Sequence, residues 1–358
     1  MEKQEIKKRV AGVTYKDAGV DIDKADQAKL LMKSTLSESS YRVMNSLGAF
    51  GSLIDMKFDN IEHPVIVMKM EEPGSKQLLA AQHGRLPEIG FDLVHHLIND
   101  TIMMGAAPVA IQDTIVCGEL EKDIVVSLVA SMHKAARAQG CDLVGGETSE
   151  QPRVIPAGSY ILSAACIGIV EKSKIIDGSS VKEGDVVLAV SSNGVHTNGY
   201  TLIRSLLENN PSLAEKNVGD ETFIEAVLRP HLCYNQPLQH IFNDDKLAVN
   251  GLAHITGGGI VDNTARVIPD GLTANIDLSK VYVLDIFNAI HEESKSKHDD
   301  MLRTFNMGVG LVVILPSEHV KEVSDIFASY GMRSYLIGEV SRGDKRVSCV
   351  NELSLICN

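Results

Sequence analysis

The spacing of apolar and polar residues along the chain follows two periods, and each period predicts an element. "PVIVMKM" (64–70) alternates with period two and predicts a strand. "IGFDLVHHLINDTIMMGA" repeats its apolar residues at helical spacing and predicts a helix that stops at Gly105, with Pro108 three residues on. "PVAIQDTIVCG" predicts a second strand, "KDIVVSLVASMHKAARAQG" an amphipathic helix ending at Gly140, and "CDLVGGETSE" a short strand feeding a glycine-rich turn. "GSYILSAACIGIVEK" predicts a third, long strand. Upstream, "KADQAKLLMK" has helical spacing with Ala25, Ala28 and Leu31 or Met32 on one face. "KSKIIDGSSVKEGD" (172–185) has the polar, turn-rich composition of an interdomain connection. Beyond it, "VVLAVSSNGVHTNGYTLIRSLLE" reads as strand, loop and helix, and "HITGGGIVDNTARVI" sets three glycines before a helix. "FNMGVGLVVIL" reads as a buried strand, "EHVKEVSDIFASYG" as a helix and "SYLIGEV" as a strand. Strands and helices therefore mix in both halves, which predicts two domains, 1–172 and 173–358.

Composition narrows the function. The 358 residues are ample for two domains. A formal charge of −13 argues against a general nucleic-acid binder, which needs a concentrated basic surface. It leaves room for a phosphorylated small molecule, held locally by lysines, backbone amides or a metal. The six cysteines form no CxxC pair, which favours a reducing, cytoplasmic setting over a disulfide or zinc framework. "MEKQEIKKRV" lacks the apolar core of a secretory signal, and the longest apolar runs are too short to span a bilayer.

Four turns combine glycine with polar groups: "EEPGSK" (71–76), "GGETSE" (145–150), "SSNGVHTNG" (191–199) and "TGGGI" (256–260). Glycine lets a backbone approach a ligand closely, and successive amides bind anions. Each turn alone is more often plain punctuation; four together point to a phosphate ligand. None is a P-loop, and no GxGxxG joins a strand to a helix. Glu71, Asp100 and Glu147 lie where apolar segments meet turns or within an apolar helix. They are either ordinary caps and ion pairs or ligands of Mg²⁺ on a phosphate. His196 lies between glycines in a polar loop and is either solvated or a proton donor to developing charge. His95 and His96 read as structural; His231, His254, His291 and His298 have no ligand spacing and receive no role.

"TYKDAGVDID" (14–23), "LGAFG" (47–51), "FDLVHHLIND" (91–100), "GCDLVGGETSE" (140–150), "SSNGVHTNGYTLIR" (191–204), "AHITGGGIVDNTARVIP" (253–269) and "FNMGVGLVV" (305–313) occur in an order that resembles the phosphoribosylformylglycinamidine cyclo-ligase (aminoimidazole ribonucleotide synthetase) family. The resemblance covers nearly the whole chain and thins at 205–250, 272–304 and the last twenty residues. It implies an N-terminal α/β domain whose sheet closes a barrel with that of a second subunit, a C-terminal α+β domain, and a homodimer. The two-domain ATP-binding fold is shared with formylglycinamidine ribonucleotide synthetase and selenophosphate synthetase. The implied reaction is ATP-dependent ring closure of formylglycinamidine ribonucleotide in purine synthesis, with Mg²⁺. Carried onto this sequence, the resemblance implies catalytic roles for His196, Asp100 and Lys76, and metal ligation by Glu71, Asp100 and Glu147. Nucleotide contacts fall to Lys16, Asp17, Asp21, Asp23, Gly74, Ser75, Gly145, Gly146, Thr148, Asn198 and Gly199. Gly257, Gly258 and Gly259 match a turn that shapes the cleft. The chain departs from the family where "EEPGSK" stands for "DGVGTK" and "SEQPR" for "AEMPG"; acid, glycine, hydroxyl and lysine survive in the first loop in the same order.

Overall fold

The computed structural model describes residues 22–36, 40–45 and 48–355, without the side chains of Ile22, Asp23 and Thr35. The first sheet is built from β1 (Pro64–Glu71), β2 (Ala107–Cys117), β3 (Asp142–Glu150) and β4 (Tyr160–Glu171), in the order β1-β4-β2-β3. β4 pairs antiparallel with β1 and β2, and β2 pairs parallel with the edge strand β3. Helices α1 (Ile22–Thr35), α2 (Lys76–Gln82), α3 (Ile89–Ile102) and α4 (Lys122–Ala138) belong to this half. Leu93, Val94, Leu97 and Ile98 of α3 are fully buried, so this helix anchors the core through an apolar face at helical spacing. On the opposite face of the sheet, Val43, Ile54, Met56, Phe58 and Ile61 cover Val109, Ala110, Val144 and Ile169. The outward residues of β1 stay bare: Ile66, Met68 and Met70 are 55%, 76% and 66% exposed.

The second sheet lies within residues 186–350. It comprises β5 (Val186–Ser191), β8 (Gly251–His254), β9 (Leu272–Asp277), β10 (Val309–Leu315), β11 (Ser334–Arg342) and β12 (Val347–Val350), ordered β12-β9-β11-β5-β10-β8. All its pairings are antiparallel except β9–β12. Every residue of β10 is buried, as its unbroken apolar run requires. A small hairpin joins β6 (Asn217–Val218) to β7 (Glu221–Thr222). The helices of this half are α5 (Tyr200–Asn209), α6 (Phe223–Leu228), α7 (Asn235–Phe242), α8 (Gly259–Ala265), α9 (Asp285–Ser294), α10 (His298–Thr304) and α11 (Val320–Ser329).

One expectation changes here. "GGETSE" is not a turn but the second half of β3, paired with β2 as far as Cys117 opposite Glu150. The ladder slips between Ile111 and Gln112, where Gly145 (φ +153°) sits, so a bulge absorbs the glycines and strand pairing overrides their turn preference.

The two halves are laced along a polar stripe of α3. Asp92, His95, His96, Asn99 and Asp100 recur at helical spacing on a helix whose other faces are apolar. The facing segment 229–234 completes them: the His231 N–H donates to Asp92 Oδ1 at 2.8 Å, and His95 Nδ1 donates to the His231 carbonyl at 2.6 Å. Asn99 donates to the Leu232 carbonyl and accepts from the Tyr234 N–H, both at 2.8 Å.

Candidate functional site

Four histidines converge where this stripe meets the loop after β5 and the end of β8. Asp100 Oδ1 lies 2.7 Å from His254 Nδ1. A carboxylate only accepts, so His254 donates from Nδ1, and in the neutral ring the lone pair then lies on Nε2. That Nε2 faces His231 Nε2 at 3.1 Å. Thr197 Oγ1 lies between His96 Nδ1 (3.0 Å) and His231 Nδ1 (3.4 Å). The His196 ring stacks on His231, with centroids 3.9 Å apart. His196 is 2% exposed, holds φ at +64°, and neither ring nitrogen has a hydrogen-bond partner. Gly310 makes room for it: a Cβ there would overlap the Tyr234 hydroxyl and press on His196 Cε1. Burial, then neighbouring cationic or imidazole groups, holds His196 and His231 well below the usual imidazole range and lowers His96 to about 4, so these rings are neutral at pH 7.

The cationic partner of this cluster is Lys69. Its Nζ lies 2.6 Å from Glu71 and 2.9 Å from Asp100. Partial burial opposes its charge, but the bonds to the two carboxylates prevail and raise its pKa. Burial likewise opposes ionisation of Asp100, yet His254, His96 and Lys69 together hold its carboxyl below the ordinary range. Lys69, Asp100 and His254 line an interdomain cavity of about 350 Å³ that also reaches Asn263 and Arg266.

A second, larger cavity of about 680 Å³ lies beneath α1. Asp26, Lys33, Asp113, Gly146, Glu147 and Thr148 contribute to its wall. Asp113 is buried beside Gly146, where a Cβ would collide with its carboxyl. It forms no ion pair among the described residues, and desolvation raises its pKa to about 7. From its ordinary value near 3.8 up to about 7, the folded protein keeps a proton that the unfolded chain releases, so stability falls as pH rises through that window. In chelator-containing buffer, Asp113→Asn is expected to unfold at higher temperature than the parent at pH 8 and to match it below pH 4. The gap corresponds to at most about 4 kcal/mol. Equal melting points at pH 8 would show that Asp113 is not strained by its charge.

Several residues singled out from sequence stand elsewhere than expected. Lys76 is not on an open loop: it is fully buried, bonded to Asp92 Oδ1 and the Arg229 carbonyl at 2.7 Å each. His196 is not on an open loop but inside the histidine cluster. Glu71, Asp100 and Glu147 are not gathered at one place. Glu71, Ala164, Asp113 and Gly146 stand in one row across β1-β4-β2-β3, which puts the backbone of Glu71 about 14 Å from that of Gly146, next to Glu147. Glu71 and Asp100 are instead bridged by Lys69. Gly74 (φ +61°) does bring "EEPGSK" against the "HTNG" loop, its missing Cβ lying 3.6 Å from the Thr197 carbonyl. Ser75 precedes α2 without a side-chain cap bond, and Gly199 (φ +81°) caps α5 beside Asn198. Asn198 Oδ1 in turn would lie 3.4 Å from a Cβ on Gly257, so the "TGGG" turn adjoins the same loop. Lys16, Asp17 and Asp21 lie outside the described residues. Asp23 falls in the first turn of α1, the helix that roofs the larger cavity. The residues missed from sequence are Lys69, Asp113, His96, His231 and His254. The signal for the first was a lysine two residues before Glu71 on the same face of a strand; for His96, it was the polar stripe.

Residues 61–170 match the family model described as AIR synthase related protein, N-terminal domain, and residues 182–350 match its C-terminal domain. Solved structures of the same architecture include the hydrogenase maturation protein HypE in complex with ATP (TM-score 0.61, 18% identity, 87% of this chain and 89% of that one). Thiamine-monophosphate kinase from Stenotrophomonas maltophilia is another (TM-score 0.62, 14% identity, 94% and 98% coverage). The protein is thus of the AIR synthase-related class. Phosphoribosylformylglycinamidine cyclo-ligase of Nitrosococcus oceani is 37% identical over 329 residues, 92% of this chain and 91% of that protein. The enzyme of the same name from Chromobacterium violaceum is 37% identical over 333 residues, with 92% and 95% coverage. The chain belongs to the phosphoribosylformylglycinamidine cyclo-ligase family. Among the described residues, no helix is long and apolar enough to cross a membrane.

Proposed function

We propose that this protein is a cytoplasmic enzyme of purine synthesis that closes formylglycinamidine ribonucleotide to aminoimidazole ribonucleotide at the expense of ATP. The observation that carries this reading is 37% identity to enzymes of that name across 92% of the chain. The formyl oxygen attacks the γ-phosphorus and ADP departs. The ring-forming nitrogen then attacks the activated carbon, and the carbon–oxygen bond breaks to release phosphate. An amide-type oxygen is a poor leaving group and phosphate a good one, so the protein's task is chiefly positioning and charge neutralisation. A related fold crystallised with ATP supports nucleotide binding here. The cavity beneath α1, with Thr148, Gly146 and Glu147, is the candidate nucleotide site. Lys69, rather than Lys76, is the lysine placed to answer phosphate charge at the interdomain cavity.

The carboxylates fit Mg²⁺ at only one of these places. Between the Glu71 and Asp100 carboxylates the Lys69 ammonium already sits where a dication would bridge them, offsetting one of their two charges. Asp113 is a buried carboxyl without an ion-pair partner among the described residues, and with Thr148, on the same face of the sheet, it offers oxygen donors of the kind a hard dication takes. Bound there with the nucleotide, Mg²⁺ would neutralise phosphate charge.

The bare apolar strip Ile66, Met68 and Met70 on the edge strand β1 supports a homodimer closed across this face. A monomer in sedimentation equilibrium at assay concentration would remove that part of the reading. For the activity, ADP release is expected only when ATP and formylglycinamidine ribonucleotide are both present, with one phosphate per ring closed. Substrate-independent ADP release, or nucleotide binding without turnover, would sink the cyclo-ligase reading in favour of another ATP enzyme of this fold or a non-catalytic binder.

A further inference from the structure

We propose that His196, His231 and His254 form a binding site for one transition-metal dication of the Zn²⁺ class, with a fourth coordination position left open. One ring nitrogen from each residue lies within 4.8 Å of the other two, and all three side chains are buried. The His231 and His254 Nε2 atoms are 3.1 Å apart. A tetrahedral ion with bonds of about 2.05 Å sets its ligand atoms about 3.3 Å apart, so this pair already stands close to ligand spacing. The outer partners are also in place. Asp100 accepts from His254 Nδ1 at 2.7 Å, which turns the Nε2 lone pair inward, as in carboxylate–histidine–metal arrangements. The Thr197 hydroxyl lies 3.4 Å from His231 Nδ1, the nitrogen that would face away from the ion.

His196 supplies the independent observation. Both its ring nitrogens are buried without a hydrogen-bond partner, on a backbone held at φ +64°. A single proton satisfies the His231–His254 contact but does nothing for His196, whereas a metal satisfies all three. Loading tilts the His196 ring out of its stack on His231, because an ion lies in the plane of each imidazole it binds. Three neutral imidazoles select a borderline transition metal over Mg²⁺ or Ca²⁺. A second grouping, His96, Asp100 and His254, is also compact. There Asp100 is already engaged through both oxygens, by His254 on one and by the Lys69 ammonium on the other, so it is the weaker candidate. The site is separate from the carboxylates proposed for Mg²⁺ and does not depend on the identity of the organic substrate.

The test uses the untagged full chain, stripped with chelator and titrated with Co²⁺ and Zn²⁺. One equivalent of Co²⁺ is expected to bind with the intense visible bands of tetrahedral cobalt, and Zn²⁺ to displace it and raise the melting temperature. His231→Ala, or His231→Gln should the alanine variant fail to fold, is expected to abolish the cobalt bands. Asp100→Asn is expected to weaken metal affinity by roughly 10–100-fold, while His96→Ala leaves it within a few-fold. Absence of stoichiometric binding, or equal binding by the parent and the His231 variant, would overturn the proposal. So would loss of binding in His96→Ala with retention in the His231 variant, which places the ion at the alternative grouping.

Discussion

Asp92→Ala is expected to lower the free energy of unfolding by about 3–5 kcal/mol, the usual cost of leaving one member of a buried ion pair alone. Asp92 and Lys76 are both fully buried and 2.7 Å apart. Burial pushes each toward its neutral form, and each opposes that push on the other. Without Asp92, the Lys76 ammonium keeps only the Arg229 carbonyl, and the His231 N–H loses its acceptor. The penalty has a pH signature. A lysine whose folded pKa is depressed binds fewer protons folded than unfolded, so the variant regains stability as pH rises toward 10. Replacing both partners with apolar residues of similar size, Asp92→Leu with Lys76→Met, is expected to recover most of the loss, because neither charge then remains to be paired. Urea unfolding of the single and double variants measures this. A single variant within 1 kcal/mol of the parent would show that the pair does not hold α2, α3 and segment 229–231 together.

The same pair shows what the sequence could and could not reveal. The elements were legible because burial imposes period: the strand at 64–71, helix α3 and the wholly buried β10 follow from apolar spacing alone. Short elements such as α6, α10 and the β6–β7 hairpin carry too few turns of pattern to stand out. At the site, residue types were legible but partners were not. Lys76 in a glycine loop suggests phosphate until the fold supplies Asp92, sixteen residues on. His231 and His254 have no spacing in sequence; they meet because segment 229–234 docks on α3 while β8 ends beside β10. Glu147 follows two glycines and reads as a loop ligand, yet parallel pairing with β2 makes it a strand residue. Motif order identifies a family, but which charges neutralise one another is fixed by long-range contacts.

Asp100→Asn separates the two roles that the structure gives this carboxylate. Its two oxygens face different groups, His254 through one and Lys69 through the other. Asparagine keeps the shape and can still accept from His254, but its amide nitrogen then faces the Lys69 ammonium, donor against donor. Lys69 is left with Glu71 alone and is expected to swing away from the interdomain cavity. Loss of a placed charge at a phosphoryl-transfer site costs about 10²–10³-fold in rate, and kcat/KM for ring closure is expected to fall by that order while the far-UV spectrum is unchanged. A variant retaining more than a tenth of parental kcat/KM would remove Asp100 from the reaction. Running the assay on chelator-stripped protein with only Mg²⁺ restored distinguishes the paths. If the defect persists at full size, Asp100 acts through Lys69 on phosphate charge. If stripped parent and stripped variant turn over equally, Asp100 acts only through the histidines it orients.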